Sequence, residues 1–274
     1  MLFRLACAIV STTALLLDPV GALSQDMLAG IDLNSPEMST SEMTRADVDA
    51  LLKATRRDGT DQRPADLQAK RLSQLDLSGL DFSGSNLRLA KLNRANLKGA
   101  RLDRAVLNQA WLIEADLTGA SLAKATLLAT QMQRAKLGGA DLSGARIAAD
   151  LSGASLVGAN LSGADFSADM RNQSMGLMRG VLKSADLRNA NLSGANLARA
   201  DLQFAKLQNA NLTNCNLTRA DLAGADLSDA NLDGADFTDA DVTATMLPRP
   251  PALTGARNLD KARNLDQARR PFIR

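Results

Sequence analysis

The large apolar residues of this chain recur every five positions. Between residues 65 and 247 this position holds Leu, with Phe, Ile, Met or Val as replacements. The residue two places earlier is almost always Ala, and Asp or Asn commonly stands between the two. A step of five matches neither the roughly 3.6-residue period of an α-helix nor the roughly 2-residue alternation of a strand. The pattern therefore predicts an array of five-residue repeats.

Each five-residue unit requires two buried side chains, one of which must be small. An α-helix cannot keep them on one face, because five residues turn it by about 140° net. A coil of short strand-like sides can, if each side points Ala and Leu inward and bends at a corner rich in Gly, Asn and Asp. Stacked coils would then pair backbone to backbone at about 4.8 Å. A narrow interior also accounts for an aromatic content of only 3%.

These A(D/N)LXX units resemble the pentapeptide-repeat family. The resemblance implies an all-β fold, a right-handed quadrilateral β-helix with four units per coil, in which Leu or Phe and the preceding small residue face inward. The residues we predict for the structural core are Leu97, Leu117, Leu192, Leu197, Leu202, Leu212, Leu217 and Phe237.

The chain divides into four predicted segments. Residues 1–24 have the basic start, uncharged apolar run and small residues of a signal peptide, with a buried apolar N-terminal helix as the alternative. Residues 25–64 combine a disordered stretch, over 25–39, with an N-terminal capping helix that Thr44 and Asp47 begin. The β-helix occupies residues 65–247, with a break at 167–181. Residues 248–274 form a basic C-terminal cap or tail.

The signal peptide predicts an exported protein, periplasmic or secreted, with no membrane span after cleavage. At the other end, three prolines stop the coil at Pro248, Pro250 and Pro251. Apolar residues then recur every six positions, at Leu253, Leu259 and Leu265. A six-residue step should not continue a square coil, so we predict a distinct cap. The alternative is a homodimer interface made by this tail.

The break is the most irregular part of the repeat body. From Ile147 to Leu182 the chain advances 35 residues, a multiple of five, which predicts one continuous body on both sides of the break. Loops that interrupt a repeat often carry binding functions, so Met170, Met175 and Met178 are candidate contacts. The alternative is an inserted turn whose side chains pack back onto the core. A Cu(I) site of Met sulfurs has weak support without Cys or His nearby.

Two other groups are candidate contacts. Trp111 and Ile113 occupy outward positions and predict a small apolar patch, although scattered surface hydrophobes are common. Arg94, Lys98 and Arg101 belong to basic early coils that could bind anionic lipid or polysaccharide, or form an ordinary solvated face.

Nothing in the sequence indicates catalysis. The chain has no His, and no acid, base or nucleophile stands out from the repeat, so we predict no enzyme activity, no cofactor and no metal. Cys215 occupies an Ala position of the repeat and is expected to be a small buried residue, with a reactive thiol as the alternative.

The predicted function is a non-enzymatic exported scaffold or protein-binding rod whose partner is an unknown protein or envelope component. The alternative is a DNA-mimic inhibitor of a type II topoisomerase (gyrase), which the quinolone-resistance members of the resembled family suggest. Residues 221–241 hold seven Asp and no base, but the formal net charge is +2. A DNA mimic should be acidic along its length, and export would remove the protein from gyrase. We therefore expect no nucleic-acid partner.

Overall fold

The computed structural model describes residues 31–55, 64–168, 178–251 and 253–269. The chain divides into two units after Leu33, and the helices and coils belong to the second unit, which begins at Asn34. The predicted signal peptide lies outside the described residues, as do Met170 and Met175.

The repeat body is a stack of four-sided coils. Parallel bridges join residues one coil apart, and four of them define the sides: side A at Asp66–Asn86, side B at Arg71–Lys91, side C at Asp76–Asn96 and side D at Asp81–Arg101. The spacing of 20 residues gives five residues to each side. In the described residues the pairing occurs as isolated bridges and not as longer strands. The fold is thus a β-solenoid whose strands are one bridge long.

One unit, residues 201–205, shows why the repeat has its composition. Leu202 points inward, and its N–H donates to the carbonyl of Asp221 in the next coil at 2.7 Å. The side chain of Asp201 accepts the N–H of Gln203 at 3.1 Å, as Asp and Asn do in tight turns. Phe204 then adopts a left-handed φ of 57°, which turns the corner before Ala205 enters the core. This geometry explains why Asp or Asn precedes Leu and why Gly occupies many corners.

The core is a column of inward Leu and Ala. All eight predicted core residues are buried, each at most 1% exposed. Burial of one such Leu or Phe contributes about 1.5–3 kcal/mol, and the total is a sum over neighbouring coils.

At some inward Ala positions the residue has a side chain that donates a hydrogen bond into the stack. Thr130, Cys215 and Thr245 are all buried. Each donates its side chain, at 2.8 Å, to the carbonyl of an inner Leu in the coil below. The narrow Ala position therefore accepts a slightly larger side chain when its polar atom finds this partner.

The break is an insertion into a single side. The preceding coil is one residue short, as the Gln131–Asp150 bridge shows, and Asp150 then pairs with Val181. The N–H of Gly180 donates to the carbonyl of Phe166 at 2.9 Å, the bond that Ala164 makes to Leu161 in the preceding side. The body continues on both sides of the break. However, the chain covers only five sides between Ile147 and Leu182, and residues 169–179 supply the additional length.

The N-terminal end of the stack is closed by a helix. Helix α1 spans Pro36–Ser39, so the predicted disorder of 25–39 is wrong for these residues, and helix α2 spans Arg45–Ala54. Thr44 and Asp47 form the predicted capping box of α2. Two residues of α2, Val48 and Leu52, join the core of the stack.

The C-terminal tail continues the coil, so the prediction that a six-residue step could not do so is wrong. Arg257, Arg263 and Arg269 pair with Asp236, Asp241 and Met246 on sides A, B and C. The additional residue is absorbed by Asn258 and Asn264, which take left-handed φ values of 54° and 61°. Each precedes a 3-10 turn, Leu259–Lys261 and Leu265–Gln267. The leucines of these turns pack against the core, so the last coil is also the cap.

Candidate functional site

The outer faces of the stack hold every candidate contact residue that the structure describes. Trp111 is half-buried on side B, where it pairs with Lys91 below and Gln131 above. Ile113 was expected to be exposed, and this prediction is wrong, because the residue is 1% exposed.

Ile113 is linked through Asn93 to the N-terminal segment, residues 34–42. Asn93 accepts the N–H of Ile113 at 3.1 Å and donates its side-chain amide to the carbonyl of Met38 at 3.1 Å. Farther along the segment, the N–H of Glu42 donates to the carbonyl of Arg71 at 2.9 Å. The segment thus runs along side B of the first coils, and the predicted apolar patch is not open there.

The three basic candidate residues of the early coils are paired with acids. Arg94 contacts Glu114 at 2.8 Å, and Lys98 contacts Asp116 at 3.4 Å. Arg101 lies 3.7 Å from Asp81 and 3.4 Å from Asp103. The periodicity could have revealed the pairs Arg94–Glu114 and Arg101–Asp81, because residues 20 apart share a side.

Glu114 sits at the centre of one such ladder. Its carboxylate contacts Arg94 on one side and Arg134 on the other, each at 2.8 Å. The hydrogen bond from Arg94 lowers the pKa of Glu114, partial burial opposes this, and the charge of Arg134 adds to the lowering. The charges therefore alternate along this ladder.

The described end of the break is tied to the body. Met178 is half-buried. The guanidinium of Arg179 contacts the carboxylate of Asp201 at 3.2 Å and donates to the carbonyl of Arg199 at 3.3 Å. The C-terminal end of the break therefore rejoins the coil at a fixed position.

Phe204 is an exposed aromatic residue that the sequence analysis did not select. Its exposed fraction is 53%, and that of Leu89 is 41%, although both occupy corner positions that the repeat usually gives to polar residues or Gly. The ring of Phe204 lies against Gly224 in the next coil, where a Cβ would come within 2.6 Å of a ring carbon. Apolar residues at outward positions are the signal that would have found both.

The acidic last coils are overlaid by the basic tail. Arg257 lies 3.8 Å from Asp236, and Arg263 lies 3.7 Å from Asp241. Hydrogen bonds from the side chains of Thr238 and Asn258, with the Thr238 backbone N–H and the charge of Arg257, lower the pKa of Asp236 to about 2. The acidic run at 221–241 is therefore partly neutralised by the same chain.

The chemistry of Cys215 does not suit a nucleophile. Burial raises the pKa of its thiol to about 12. A thiol with this pKa is protonated at neutral pH, and the thiolate is the reactive form. Among the described residues, His, Cys, Asp and Glu form no group that could hold a metal ion. The same residues include no helix with the length and apolar character needed to cross a membrane.

A cleft interrupts side D near the C-terminal end. It has a volume of 460 Å³ and opens between Asn231 and the connection that carries Pro251 toward the last coil. The other lining residues are Asp229, Ala230, Asp233, Thr254 and Gly255.

Coils with one five-residue repeat on each of four sides define a β-solenoid of pentapeptide repeats. The chain belongs to the pentapeptide-repeat family. The family model described as pentapeptide repeats matches it in eight copies, over residues 71–109, 110–147, 147–168, 181–214 and 215–247. The match omits residues 169–180, in agreement with the insertion.

Several solved structures are similar to this chain. HetL, a pentapeptide repeat protein involved in heterocyst differentiation regulation in the cyanobacterium Nostoc sp. strain PCC 7120, is 31% identical, with 82% of this chain and 94% of HetL covered and a TM-score of 0.49. Full-length QnrB1, a plasmid-mediated fluoroquinolone resistance protein, is 17% identical, with 75% and 91% covered and a TM-score of 0.39. A pentapeptide repeat protein of the Arabidopsis thaliana thylakoid lumen is 26% identical, with 62% and 69% covered and a TM-score of 0.21. No curated protein matches the sequence.

Proposed function

We propose that the protein is a non-enzymatic, exported scaffold or protein-binding rod that acts through its outer faces. The observation that carries the proposal is the exposed ring of Phe204, in a body whose other large apolar residues are nearly all inward. Aromatic side chains supply large contact area in protein interfaces, and they are costly to leave in water. Because Gly224 has no side chain, nothing projects beside the Phe204 ring at this point, and the ring is accessible to a partner.

Photo-crosslinking tests this contact. A benzoylphenylalanine at position 204 should form an adduct with one defined protein in the native cell. The matched control is the same residue at position 199, which occupies the preceding corner of the same coil with a similar left-handed φ, 63° against 57°. Equal adducts from both positions, or none from either, would contradict a specific contact at Phe204.

Export is the second part of the proposal, and its support is the basic start, apolar run and small residues of 1–24. Cell fractionation and mass spectrometry of the mature N-terminus test it. The expected product begins near residues 22–24 and is found in the envelope or medium. An intact N-terminus in the cytoplasm would refute export and leave the binding role to be tested separately.

Topoisomerase inhibition by DNA mimicry has less support. The acids that would imitate phosphates are partly paired within the chain, through Arg257 with Asp236 and Arg263 with Asp241. Such pairing weakens the negative potential that a DNA mimic requires. Inhibition of gyrase supercoiling by the purified protein would favour this alternative over the scaffold.

A further inference from the structure

In the described residues the ladder of side D ends at Asn231 after seven bridges, whereas the ladders of the other three sides have nine bridges each. At the last complete level, the N–H of Asn209 donates to Ser228 O at 3.1 Å, that of Asn231 to Ala210 O at 2.9 Å, and that of Leu212 to Asn231 O at 2.8 Å. The equivalent groups one coil higher are the N–H of Asp229, the carbonyl of Ala230 and the N–H of Leu232. In the described part of the chain these three groups have no hydrogen-bond partner.

Proline explains why the ladder ends here. Pro251 is the residue one coil beyond Asn231, where the repeat would place the donor for the carbonyl of Ala230, and proline has no N–H. Pairing resumes when the N–H of Gly234 donates to the carbonyl of Gly255 at 2.8 Å. The gap is therefore one side long, and the cleft described above lies beside it.

We propose that this gap on side D binds an extended basic peptide segment of a partner protein by strand addition. One peptide residue would donate its N–H to Ala230 and accept from Leu232 through its carbonyl. The carbonyl three residues earlier would accept from Asp229. This mode gives affinity through main-chain hydrogen bonds and specificity through side chains. The inference rests on the proposed function, because it names the class of partner that a binding rod would take.

Two observations favour this occupant. Ala230 lines the cleft, and its carbonyl has no partner in the described part of the chain, so a strand that donates to this carbonyl satisfies an acceptor that proline leaves unpaired. The cleft is also lined by the carboxylates of Asp229 and Asp233, and neither makes an ion pair within the described residues. Lys or Arg in the peptide complements these charges.

The terminal edges of sides A and B are less suitable. Asn258 and Asn264 turn left-handed directly after Arg257 and Arg263 and begin 3-10 turns. The chain therefore leaves the extended conformation at the point where an added strand would need it. Side D keeps the ordinary repeat geometry up to the gap.

Hydrogen exchange measured by NMR on the full chain tests the site, with an acetylated seven-residue peptide of alternating lysine and valine as the probe. Without peptide, the N–H of Leu232 should exchange much faster than that of Leu212, which is on the same side one coil below and is paired. Saturating peptide should slow exchange at Leu232 about tenfold or more and leave Leu212 unchanged.

Two controls separate strand pairing from simple charge attraction. The same peptide with N-methyl groups on its three central residues keeps its charge but cannot donate, and it should bind about tenfold more weakly. The double variant Asp229→Asn, Asp233→Asn should also weaken binding, whereas Asp239→Asn, on another side, should not. Equal binding of the methylated peptide would overturn the proposal.

Protection of Leu232 in the free protein would also overturn it, because the gap would then be occupied already. Loss of that protection on deletion of residues 270–274, which lie outside the described residues, would identify the chain's own tail. Protection that rises with protein concentration would identify a second copy. Neither result affects the crosslink at position 204, so failure of this site remains distinct from failure of the proposed function.

Discussion

The backbone N–H of Gly180 donates to the carbonyl of Phe166 at 2.9 Å and so closes one side of a coil across residues 169–179. In the preceding side, Ala164 makes the same bond to Leu161. Gly180 thus stands where the repeat would place residue 169. A Cβ on Gly180 would come within 2.7 Å of the Phe166 ring, so the closure also needs a residue without a side chain.

Deletion of residues 169–179 should therefore leave a folded stack. The deletion joins Ala168 to Gly180 and restores the ordinary five-residue spacing between Phe166 and Leu182. We expect the free energy of unfolding to change by about 1 kcal/mol or less, because a shorter loop is cheaper to close while the ion pair from Arg179 is lost. Circular dichroism and urea unfolding measure the outcome. Deletion of 204–214, also eleven residues, shifts the repeat by one position and should abolish folding.

Gly224 should tolerate alanine less well than Gly194 does. Both have left-handed φ values, 69° and 65°, but only Gly224 faces the ring of Phe204, and a Cβ on Gly194 meets no atom within 4 Å. Gly194→Ala should cost about 1–2 kcal/mol for the backbone alone, and Gly224→Ala about 1–3 kcal/mol more for the clash. Adding Phe204→Ala should recover the second part. Equal urea midpoints for the two glycine variants would contradict the contact.

Inward and outward positions should differ sharply in their cost. Leu202 is fully buried, so Leu202→Ala should lose about 2–5 kcal/mol of unfolding free energy. Arg199, an outward corner residue three positions earlier, should change it by about 0.5 kcal/mol or less on substitution by Ala. Urea unfolding followed by circular dichroism measures both. Comparable losses would mean that the five-residue pattern does not separate core from surface.

The residue pattern predicts most of the repeat body. It does not predict the insertion that interrupts the body or the segments that pack along it. Inward positions follow from the spacing of Leu and Ala, because every side has the same shape. The expectation for Ile113 is wrong because five-residue spacing does not report which distant segments lie along a side, such as the N-terminal one that Asn93 contacts. The six-residue beat was misjudged because left-handed Asn258 and Asn264 absorb the additional residue, and hydrophobic spacing does not report φ. The five-residue pattern marks inward residues, so it does not single out Phe204 at an outward corner.

Cys215 should be unreactive until the protein unfolds. Burial raises the pKa of its thiol to about 12, and its Sγ donates to the carbonyl of Leu192 at 2.8 Å. At pH 8 the thiolate fraction is then on the order of 10⁻⁴, against about a quarter for an ordinary thiol. In a Cys7→Ser background, which leaves one thiol, a disulfide reagent should label the protein only in denaturant. Stoichiometric labelling under native conditions would show that the thiol is accessible and ionised.

Acid should weaken the last coil through Asp236. Hydrogen bonds from the side chains of Thr238 and Asn258 are the main reason that its pKa falls from 3.8 to about 2. The Thr238 N–H and the charge of Arg257 make smaller contributions in the same direction. Since the folded pKa lies below the unfolded one, the carboxylate stabilises the fold above pH 3.8, and this contribution is lost as the pH falls from there through about 2. The contribution is modest, because the carboxylate lies near the surface.

A carbon-13 NMR titration of the Asp236 carboxyl measures this pKa directly. Thr238→Val removes the hydroxyl that makes the largest contribution while keeping the branched shape, so the midpoint should rise toward 3.8. Asn258→Gly removes the second donor and still permits the left-handed φ of that position, so it should raise the midpoint by a smaller amount. If both variants titrate with the wild type, the hydrogen bonds from the Thr238 and Asn258 side chains do not set this pKa. If the wild-type midpoint itself lies near 3.8, the stability difference between wild type and Asp236→Asn should show no loss between pH 4 and pH 2.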